Sequence, residues 1–389
     1  MRTQVVIIGG GPSGLLLSQL LYLNGIENVV LEKHTKKYVL SRIRAGVLEQ
    51  GTVNLLNKAG LGKRIKNEGF NHDGIFLSVK NHSFRIDFKS LVNKTVTVFG
   101  QTEVTADLYS VVEKDKGRII NSAKNVMPCD ILTNKPYVTY EINGLDKKIT
   151  CDFIIGCDGF HGITRQIIPK NKIKTFERIY PFGWLGILSE TCPVNDELIY
   201  ANHKTGFALA SMRNKNLSRY YIQTSINDKV EMWEDDRFWF ELKKRLPKDA
   251  SERLVTGPSI EKSLAPLRSF VVEPMKFGNL FLVGDAAHIV PPTGAKGLNL
   301  AFSDVHYLYK SLICYFKNDD KNAIEQYSSK ALNRVWKTIR FSWWMTNTLH
   351  KFPDQTEFDQ KIQEAELDYL KNSIDAQKSL AENYVGLAF

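Results

Sequence analysis

The sequence predicts a combined α/β and α+β fold: a Rossmann-like domain with an inserted mixed β-sheet and a helical C-terminal region. Three patterns predict this fold. A strand–glycine–helix–strand segment opens the chain, alternating and aromatic-rich segments fill its middle, and helical spacing continues beyond Gly297. Because a chain of 389 residues exceeds the usual size of one hydrophobic core, we expect several packed units.

The opening segment predicts a βαβ unit. Residues 4–8 form a short apolar run, three glycines follow, and leucines then recur at helical spacing until Gly25. A second apolar run, residues 29–31, ends at Glu32. Short apolar runs joined by a helix are typical of buried parallel strands.

The glycine-rich turn between the first strand and the first helix predicts a dinucleotide site. Gly9 permits the tight turn, Gly11 lets the backbone approach a pyrophosphate, and Gly14 allows close packing of helix on strand. Ser13 lies in the first turn of the helix, whose N-terminus would face the phosphates with its partial positive charge. Glu32 ends the second strand, where a carboxylate would accept both ribose hydroxyls. This turn alone does not distinguish NAD from FAD.

Two later turns follow predicted buried strands and carry an aspartate each. Asp158 follows residues 150–155, and Asp285 follows residues 280–283. Each is a common turn in isolation, and Asp285 is equally suited to capping a helix. Residues 291–299 are stiff, then glycine-rich, then helical. Such a segment can point backbone N–H groups at an electron-rich ring edge.

The middle of the chain predicts the second sheet. Residues 74–98 alternate between polar and apolar side chains, and residues 180–226 are rich in aromatic and β-branched side chains between turn signals. Helical spacing resumes over residues 230–246, where Lys243-Lys244-Arg245 predicts a solvated helix face. The predicted units are a cofactor-binding domain over residues 1–177 with 71–97 contributing to the second sheet, a substrate-binding sheet domain over 178–267, and a C-terminal helical region over 268–389.

Composition argues against several classes of protein. The net charge of +10 comes without a basic run interleaved with aromatic residues, so we expect no nucleic-acid partner. Five scattered cysteines without a Cys-x-x-Cys pair indicate neither a disulfide framework nor a metal site. No apolar run approaches the roughly 20 residues that span a bilayer, and no signal-peptide pattern opens the chain. We therefore expect no membrane partner and a cytoplasmic location.

The turns at residues 9–14, 157–159 and 284–288, in this order, resemble the signatures of the class A flavoprotein aromatic hydroxylases. The resemblance covers nearly the whole chain and implies FAD as cofactor, NADPH as co-substrate (with NADH left open), and O₂ activated as a flavin hydroperoxide. It further implies a small phenolic carboxylate as substrate, 4-hydroxybenzoate, which is converted to 3,4-dihydroxybenzoate. The other segments that carry it are residues 38–51, 101–104, 180–186, 265–274, 289–300, 341–344 and 381–387.

The resemblance implies one set of residues for each end of the substrate. Ser211, Arg213 and Tyr221 match positions that bind the carboxylate, and a planar arginine suits bidentate recognition of that anion. By residue type alone, however, Arg213 indicates an ordinary surface arginine.

At the phenol end, Tyr200 and Tyr384 match a pair that hydrogen-bonds the hydroxyl, and His72 matches the outer end of their proton relay. The carbonyl of Pro292 would receive the phenol proton. By residue type alone, tyrosines more often lie in a core, and a lone histidine is more often structural.

The resemblance also implies the cofactor contacts. Among them, Arg44 would lie near the FAD pyrophosphate, and Arg219 would steady the active flavin position. The FAD set is completed by Arg42, Gln101, Asp158, Asp285, Lys296, Gly297, Leu298 and Asn299. The NAD(P)H set is Lys33, His34, Tyr38, Arg42, His161, Arg165 and Arg268. Here the chain departs from the family, because Lys33-His34 replaces an Arg-Gln pair and offers point charges instead of a bidentate fork.

Three alternatives remain open from the sequence. A hydroxylase of the same group acting on another phenolic acid, such as 3-hydroxybenzoate or salicylate, is the first. A colourless NAD-dependent dehydrogenase and a non-catalytic FAD-binding or nucleic-acid-associated module are the others. We also expect a homodimer, for which Trp343 and Trp344 either supply a face or pack internally.

Overall fold

The protein is described here by a computed structural model, which covers residues 1–42, 46–80 and 82–389. Its strands are, in chain order, β1 (Val5–Ile8), β2 (Asn28–Leu31), β3 (Val47–Leu48), β4 (Phe70–His72), β5 (Gly74–Val79), β6 (His82–Asp87), β7 (Val96–Val98), β8 (Arg118–Ile120), β9 (Lys124–Cys129), β10 (Tyr137–Ile142), β11 (Leu145–Thr150), β12 (Phe153–Gly156), β13 (Lys174–Ser189), β14 (Ile199–Ala201), β15 (Ala208–Asn214), β16 (Leu217–Ser225), β17 (Ser259–Glu273), β18 (Lys276–Phe277), β19 (Leu280–Leu282) and β20 (His288–Ile289). Its α-helices are α1 (Pro12–Tyr22), α2 (Lys36–Leu40), α3 (Gln50–Lys58), α4 (Gly62–Glu68), α5 (Phe88–Val92), α6 (Gln101–Lys114), α7 (Ile163–Gln166), α8 (Asp235–Arg245), α9 (Lys248–Arg253), α10 (Gly297–Asn318), α11 (Lys321–Glu325), α12 (Tyr327–Leu349), α13 (Glu357–Asn372) and α14 (Ile374–Val385).

The predicted βαβ unit is confirmed and lies within a six-stranded sheet. The strand order is β18-β19-β12-β1-β2-β8, and all neighbours are parallel except β18 and β19. β1 and β12 are buried along their whole length, as uninterrupted apolar sequence predicts for parallel strands covered on both faces. The carboxyl ends of β1, β2 and β12 therefore meet at one edge of the sheet, where the predicted cofactor turns begin.

The predicted second sheet is a mixed sheet of eight strands in the order β20-β17-β13-β16-β15-β14-β5-β6. β14 pairs with β5 in parallel, and the other neighbours are antiparallel. The predicted fold class is thus confirmed. β13 and β17 run without interruption across the predicted domain boundaries at 177/178 and 267/268. The division into domains stays a prediction.

Some local predictions were wrong. Alternation was expected up to residue 98, but the chain turns helical at α5, where the Asp87 carboxylate accepts a hydrogen bond from Ser90 N at 2.9 Å and caps the helix. The helix expected over residues 230–246 begins only at Asp235, after a short 3₁₀ turn. Neither α6 nor the three-stranded sheet β9–β11 was predicted from the sequence.

The basic run at the end of α8 is solvated only in part. Lys243 and Lys244 are exposed, but Arg245 is buried and donates to the carbonyls of Gln223 at 2.8 Å and Phe207 at 3.3 Å. The expectation of a solvated face is therefore wrong for Arg245. Its guanidinium instead satisfies backbone acceptors of the second sheet.

The C-terminal region is helical, as predicted. α12 and α14 contribute Phe341, Met345 and Tyr384 to the hydrophobic core behind the second sheet. Trp344 packs against this core and donates to Glu366 at 3.2 Å, whereas Trp343 is exposed. Of the helices in the described ranges, none is long and apolar enough to cross a membrane. Nor do the described residues bring together three or more His, Cys, Asp or Glu side chains that could hold a metal ion.

Candidate active site

A cavity of about 1190 Å³ extends from the carboxyl ends of β1 and β2 to one face of the eight-stranded sheet. Most of the predicted site residues line it: Gly9, Gly11, Ser13, Glu32, Lys33, His34, Tyr38, Arg42, Gln101, Asp158, His161, Tyr200, Ser211, Arg213, Tyr221, Asp285, Pro292, Lys296, Gly297 and Leu298. Other predicted residues are not on its wall: Gly14, His72, Arg165, Arg219, Arg268, Asn299 and Tyr384. Arg44 lies outside the described residues.

The N-termini of two helices, α1 and α10, open onto this cavity. Within the described structure, neither helix has a side-chain cap at its N-terminus, so the first backbone N–H groups stay available. A Cβ added at Gly11 or at Gly297 would meet no atom within 4 Å. Free N–H groups and the positive end of a helix dipole fit a pyrophosphate at one helix and an anionic ring at the other.

Protein atoms fill the space beside the other two glycines of the turn. A Cβ at Gly9, where φ is +112°, would lie 2.2 Å from the Cys157 carbonyl oxygen, and a Cβ at Gly14 would lie 2.0 Å from the Gly9 carbonyl oxygen. These two glycines therefore let β1, α1 and the turn after β12 approach one another closely. Gly11, in contrast, leaves room for a ligand.

The carboxylate of Glu32 is fixed at the end of β2. Its Oε2 accepts a hydrogen bond from Gly10 N and its Oε1 accepts one from His34 N, both at 2.7 Å. Each oxygen keeps a further lone pair, and Glu32 lies on the cavity wall. This geometry fits the pair of ribose hydroxyls of a dinucleotide, as the sequence predicts.

The two aspartate turns come together at the same cavity. The Asp158 carboxylate accepts from Thr164 N at 2.9 Å and from Thr164 Oγ1 at 2.6 Å, which caps α7. Burial raises the pKa of Asp158, and the Thr164 hydrogen bonds oppose that rise. Asp285 lies in a 3₁₀ turn and is exposed toward the cavity. Arg165 joins the two turns, because its guanidinium donates to the carbonyls of Ala286, at 2.8 Å, and Phe160.

At the far end of the cavity, β15 and β16 present the predicted carboxylate residues. Ser211 lies opposite Arg219, and Tyr221 lies two residues along, so period-2 alternation places them on one face with Arg213. Arg213 Nε and Nη1 are buried and find no hydrogen-bond partner in the described part of the chain. Desolvation lowers the pKa of Arg213. The reading of Arg213 as a surface arginine is therefore wrong, and its buried Nε and Nη1 can donate to an acceptor in the cavity.

The neighbouring Arg219 also has its Nε and Nη1 buried without a hydrogen-bond partner in the described part of the chain. It differs from Arg213 because it has an ion-pair partner and does not line the cavity. Its guanidinium lies 3.1 Å from Glu261, donates to Ser263 Oγ at 2.9 Å and sits 5.1 Å from the centre of the Tyr221 ring. A Cβ at Gly186 would lie 2.6 Å from that ring. Gly186 thus makes room for Tyr221 across β13.

The predicted tyrosine pair is present at the same end of the cavity. The hydroxyls of Tyr200 and Tyr384 are 2.7 Å apart and fully buried. Burial raises the pKa of both phenols, so both are neutral at neutral pH and can pass a proton in either direction. His72 is buried, and neither ring nitrogen has a partner among the described residues; burial lowers its pKa.

Comparison with known proteins identifies the family. A family model described as an FAD binding domain matches residues 2–342. A p-hydroxybenzoate hydroxylase of Acinetobacter baylyi is 56% identical over all of this chain and 96% of its own length.

The chain belongs to the family of FAD-dependent aromatic hydroxylases.

More distant members of this group show how far the fold extends. A 3-(3-hydroxy-phenyl)propionate/3-hydroxycinnamic acid hydroxylase of Burkholderia vietnamiensis is 21% identical over 78% of this chain, which spans 55% of that protein. The solved structure of a p-nitrophenol 4-monooxygenase from Pseudomonas putida covers both chains completely, with a TM-score of 0.83 at 16% identity. At that identity the likeness supports the fold alone.

Glu49 was not predicted as a site residue of this FAD-dependent hydroxylase, yet its carboxylate lies at the centre of a buried charge cluster. Lys296 Nζ donates to Glu49 Oε1 at 2.6 Å and to the Tyr384 carbonyl at 2.6 Å. Arg334 donates to Glu49 Oε2 at 3.0 Å and to the Leu387 carbonyl at 2.6 Å. The cluster therefore ties the start of α10 to the C-terminal segment that carries Tyr384. No local pattern around Glu49 could have indicated partners 247 and 285 residues away.

Asn299 has a similar supporting place. Its side chain accepts from Glu49 N at 2.9 Å and donates to the Val47 carbonyl at 2.8 Å. It thus fixes the strand β3 against the first turn of α10 instead of lining the cavity.

The residues predicted for NAD(P)H divide into those that line the cavity and those that lie away from its wall, Arg165 and Arg268. Lys33, His34, Tyr38 and Arg42 line the outer end of the cavity and are exposed, with the His34 and Tyr38 rings 4.2 Å apart. His161 is also exposed on its wall. Arg268 lies away from the wall, 3.3 Å from Glu177. Of the predicted set, the residues that are thus presented to a ligand are Lys33, His34, Tyr38, Arg42 and His161.

Proposed function

We propose that this chain hydroxylates 4-hydroxybenzoate to 3,4-dihydroxybenzoate, with FAD as cofactor and NAD(P)H and O₂ as co-substrates. The observation that carries the substrate assignment is the Arg213 guanidinium, which lines the cavity with two buried N–H groups that lack an acceptor among the described residues. The name of the Acinetobacter baylyi relative, p-hydroxybenzoate hydroxylase, supports the same substrate. A small aromatic acid satisfies both.

The residues at the far end of the cavity would hold the substrate at both of its polar groups. Arg213 would take the carboxylate through charge-assisted hydrogen bonds, and Ser211 and Tyr221 would supply two hydroxyl donors. Tyr200 would meet the para hydroxyl, because it is the member of the tyrosine pair that lines the cavity. The hydroxyl in the para position, opposite the carboxylate, thus distinguishes 4-hydroxybenzoate from its 3-hydroxy and 2-hydroxy isomers.

Proton movement at the phenol would follow the tyrosine pair. Tyr200 can accept the phenol proton only as it passes its own to Tyr384, since both are neutral. We propose His72 as the outer acceptor of this proton, and its lowered pKa leaves it unprotonated and able to accept at neutral pH. Ionisation makes the ring carbon next to the oxygen electron-rich, which is the carbon that the reaction oxygenates. Pro292 lies on the cavity wall, and we propose its carbonyl, which also accepts from Ala295 N at 2.9 Å, as a second acceptor.

FAD, when bound, supplies the transfer of electrons from NAD(P)H and the activation of O₂. We propose that Glu32 and the N-terminus of α1 hold its adenosine and pyrophosphate parts. Asp285 would hold its ribityl chain, and the N-terminus of α10 would face the flavin ring. Arg42, Gln101 and Asp158 complete the proposed FAD contacts on the wall. Lys33, His34, Tyr38 and His161 are our candidates for NAD(P)H, and the charge of Lys33 with the ring nitrogens of His34 beside it favours the 2′-phosphate of NADPH.

The first test is anaerobic stopped-flow reduction of the purified yellow protein by NADPH, with and without 4-hydroxybenzoate. We expect the phenolic acid to accelerate flavin reduction strongly, and the aerobic reaction to yield 3,4-dihydroxybenzoate. Reduction at the same rate with and without it would contradict this substrate. The same assay with 3-hydroxybenzoate and salicylate distinguishes the other hydroxylase activities.

Removing one hydroxyl of the relay should uncouple the reaction. For Tyr200→Phe we expect hydroxylation to fall by about a hundredfold, while NADPH oxidation continues and yields hydrogen peroxide. The measurement is product formed per NADPH consumed. Tyr180→Phe is the matched control, because that buried hydroxyl pairs with Ser269 at 3.3 Å instead of with the relay. Full coupling in Tyr200→Phe would contradict the proposed relay.

We further propose a homodimer in the cytoplasm. The outer face of α13 exposes Phe358, Ile362 and Tyr369 at helical spacing, an arrangement typical of a protein interface. Trp343 is the more exposed of the two tryptophans considered above. The cytoplasm is where NAD(P)H is consumed, and the five cysteines are free thiols. Sedimentation of the wild type and of Ile362→Glu should give a dimer and a monomer, respectively; a wild-type monomer would contradict the proposal.

A further inference from the structure

The last turn of α12 contacts both ends of the proposed substrate pocket. Thr346 Oγ1 donates to the Ser342 carbonyl at 2.7 Å and accepts from Thr293 Oγ1 at 3.0 Å, in the loop before α10 that carries the candidate phenol contact. One turn later, His350 Nε2 accepts a hydrogen bond from Trp184 Nε1 at 2.7 Å. Trp184 lies on the cavity wall in β13, a residue that the sequence analysis did not single out.

The His350 ring is held as a neutral acceptor. It is fully buried and stacks on Phe207 at 4.3 Å and on Phe182 at 4.9 Å between ring centres. Its Nδ1 lies 3.0 Å from the Thr346 carbonyl, which can only accept, so Nδ1 carries the proton and Nε2 is free to accept from the indole. Burial lowers the pKa of His350 to about 3, which keeps this arrangement at any working pH.

Trp184 connects this ring to the carboxylate end of the pocket. Its indole is 2% exposed and lies 5.2 Å from the Tyr221 ring, and it stacks on Phe207 at 5.0 Å. His350 itself does not line the cavity as described. The most direct path from His350 to the cavity therefore runs through Trp184, to which it is hydrogen-bonded.

We infer that His350 is a positioning residue for substrate selection: it fixes the Trp184 indole, which in turn holds Tyr221 beside Arg213. Without the acceptor, the buried indole N–H would lack a partner, and its desolvation cost would favour other positions of the ring. The pocket would then lose its preorganisation for a para-substituted aromatic acid. The identity of that acid rests on the proposed function.

The experiment is a double-mutant cycle of His350→Phe and Trp184→Phe in the FAD-bound enzyme. His350→Phe keeps the aromatic stack but removes the acceptor, and Trp184→Phe removes the donor but keeps an aromatic wall. The Kd of 4-hydroxybenzoate is measured from the change in flavin absorbance, and FAD affinity is measured beside it. The indole N–H signal of Trp184 is followed by NMR in protein without substrate, assigned by its loss in Trp184→Phe.

We expect each single variant to raise the Kd by about tenfold with FAD affinity unchanged, and the double variant to be no worse than Trp184→Phe alone. We also expect His350→Phe to shift the Trp184 indole signal and to speed its hydrogen exchange. Independent, multiplying effects on the Kd, or an unshifted indole signal, would overturn the inference.

Two further results keep the inference and the proposed function apart. If the wild type does not bind 4-hydroxybenzoate, the proposed substrate is wrong, but the indole signal still decides whether His350 holds Trp184. If His350→Phe does not retain FAD, the Trp184 indole signal of the FAD-free variant decides the matter. In that case an unshifted signal overturns the inference, and a shifted signal with faster hydrogen exchange supports it.

Discussion

Replacing Arg213 with methionine should abolish useful binding of 4-hydroxybenzoate without loosening the fold. Truncating one partner of a buried, hydrogen-bonded charge pair costs about 2–5 kcal/mol, which corresponds to a rise in Kd of roughly 30- to 4000-fold. The buried Nε and Nη1 atoms make this expectation strong, because they have no acceptor among the described residues. The measurement is a titration of the FAD-bound variant by flavin absorbance.

The same variant separates a ligand-binding arginine from a structural one. A structural arginine would take stabilising hydrogen bonds with it when removed, and the free energy of unfolding would fall. A buried arginine whose role is to bind an anion carries a desolvation cost when no anion is bound. Arg213→Met should therefore leave the free energy of unfolding of the substrate-free protein unchanged or raise it.

Two controls sharpen this test of Arg213. 4-Hydroxybenzaldehyde lacks the carboxylate and should bind the variant and the wild type alike. Arg237→Met removes an exposed arginine of the same sheet domain and should leave the Kd for 4-hydroxybenzoate unchanged. An Arg213 variant that binds the acid normally would contradict the carboxylate assignment.

The sequence pattern predicted those parts of the fold that depend on interactions between residues close together in the chain. The βαβ unit came from contiguous apolar runs and a glycine turn, and the structure confirms it. The helix α8 was placed early by five residues, since apolar spacing over residues 230–246 does not reveal where backbone hydrogen bonds begin. The burial of Arg245 depends on the carbonyls of Gln223 and Phe207 in a neighbouring sheet. The basic run itself gives no indication of these distant acceptors.

The candidate site divides in the same way. Ser211, Arg213 and Tyr221 share a face because of strand alternation, yet nothing in their sequence indicates that the face is buried. Tyr200 and Tyr384 meet across 184 residues, and only the family resemblance brought them together beforehand. Trp184 lies within residues 180–186, a segment that carries the family resemblance, but neither it nor His350, 166 residues away, was given a role from the sequence; their connection was found from their contacts.

Glycine substitutions in the first turn should give two different losses. Gly14→Ala places a methyl group against the Gly9 carbonyl, where the Cβ would be 2.0 Å away. We expect it to destabilise the FAD-free protein by about 3 kcal/mol, at the upper end of typical overpacking costs. Gly11→Ala meets no protein atom within 4 Å, so the FAD-free protein should unfold within about 0.5 kcal/mol of the wild type.

The loss in Gly11→Ala should instead be in FAD affinity, by roughly a hundredfold, because its methyl group occupies the space through which a pyrophosphate approaches the backbone. Denaturant unfolding of the FAD-free protein and titration with FAD measure the two quantities separately. Gly100→Ala is the matched control: Gly100 also caps a helix, α6, and an added Cβ there would have ordinary contact at 3.6 Å. Normal FAD affinity in Gly11→Ala would place the pyrophosphate elsewhere. A stable Gly14→Ala would mean that α1 can move away from β1, and that the close packing of this turn is not required by the fold.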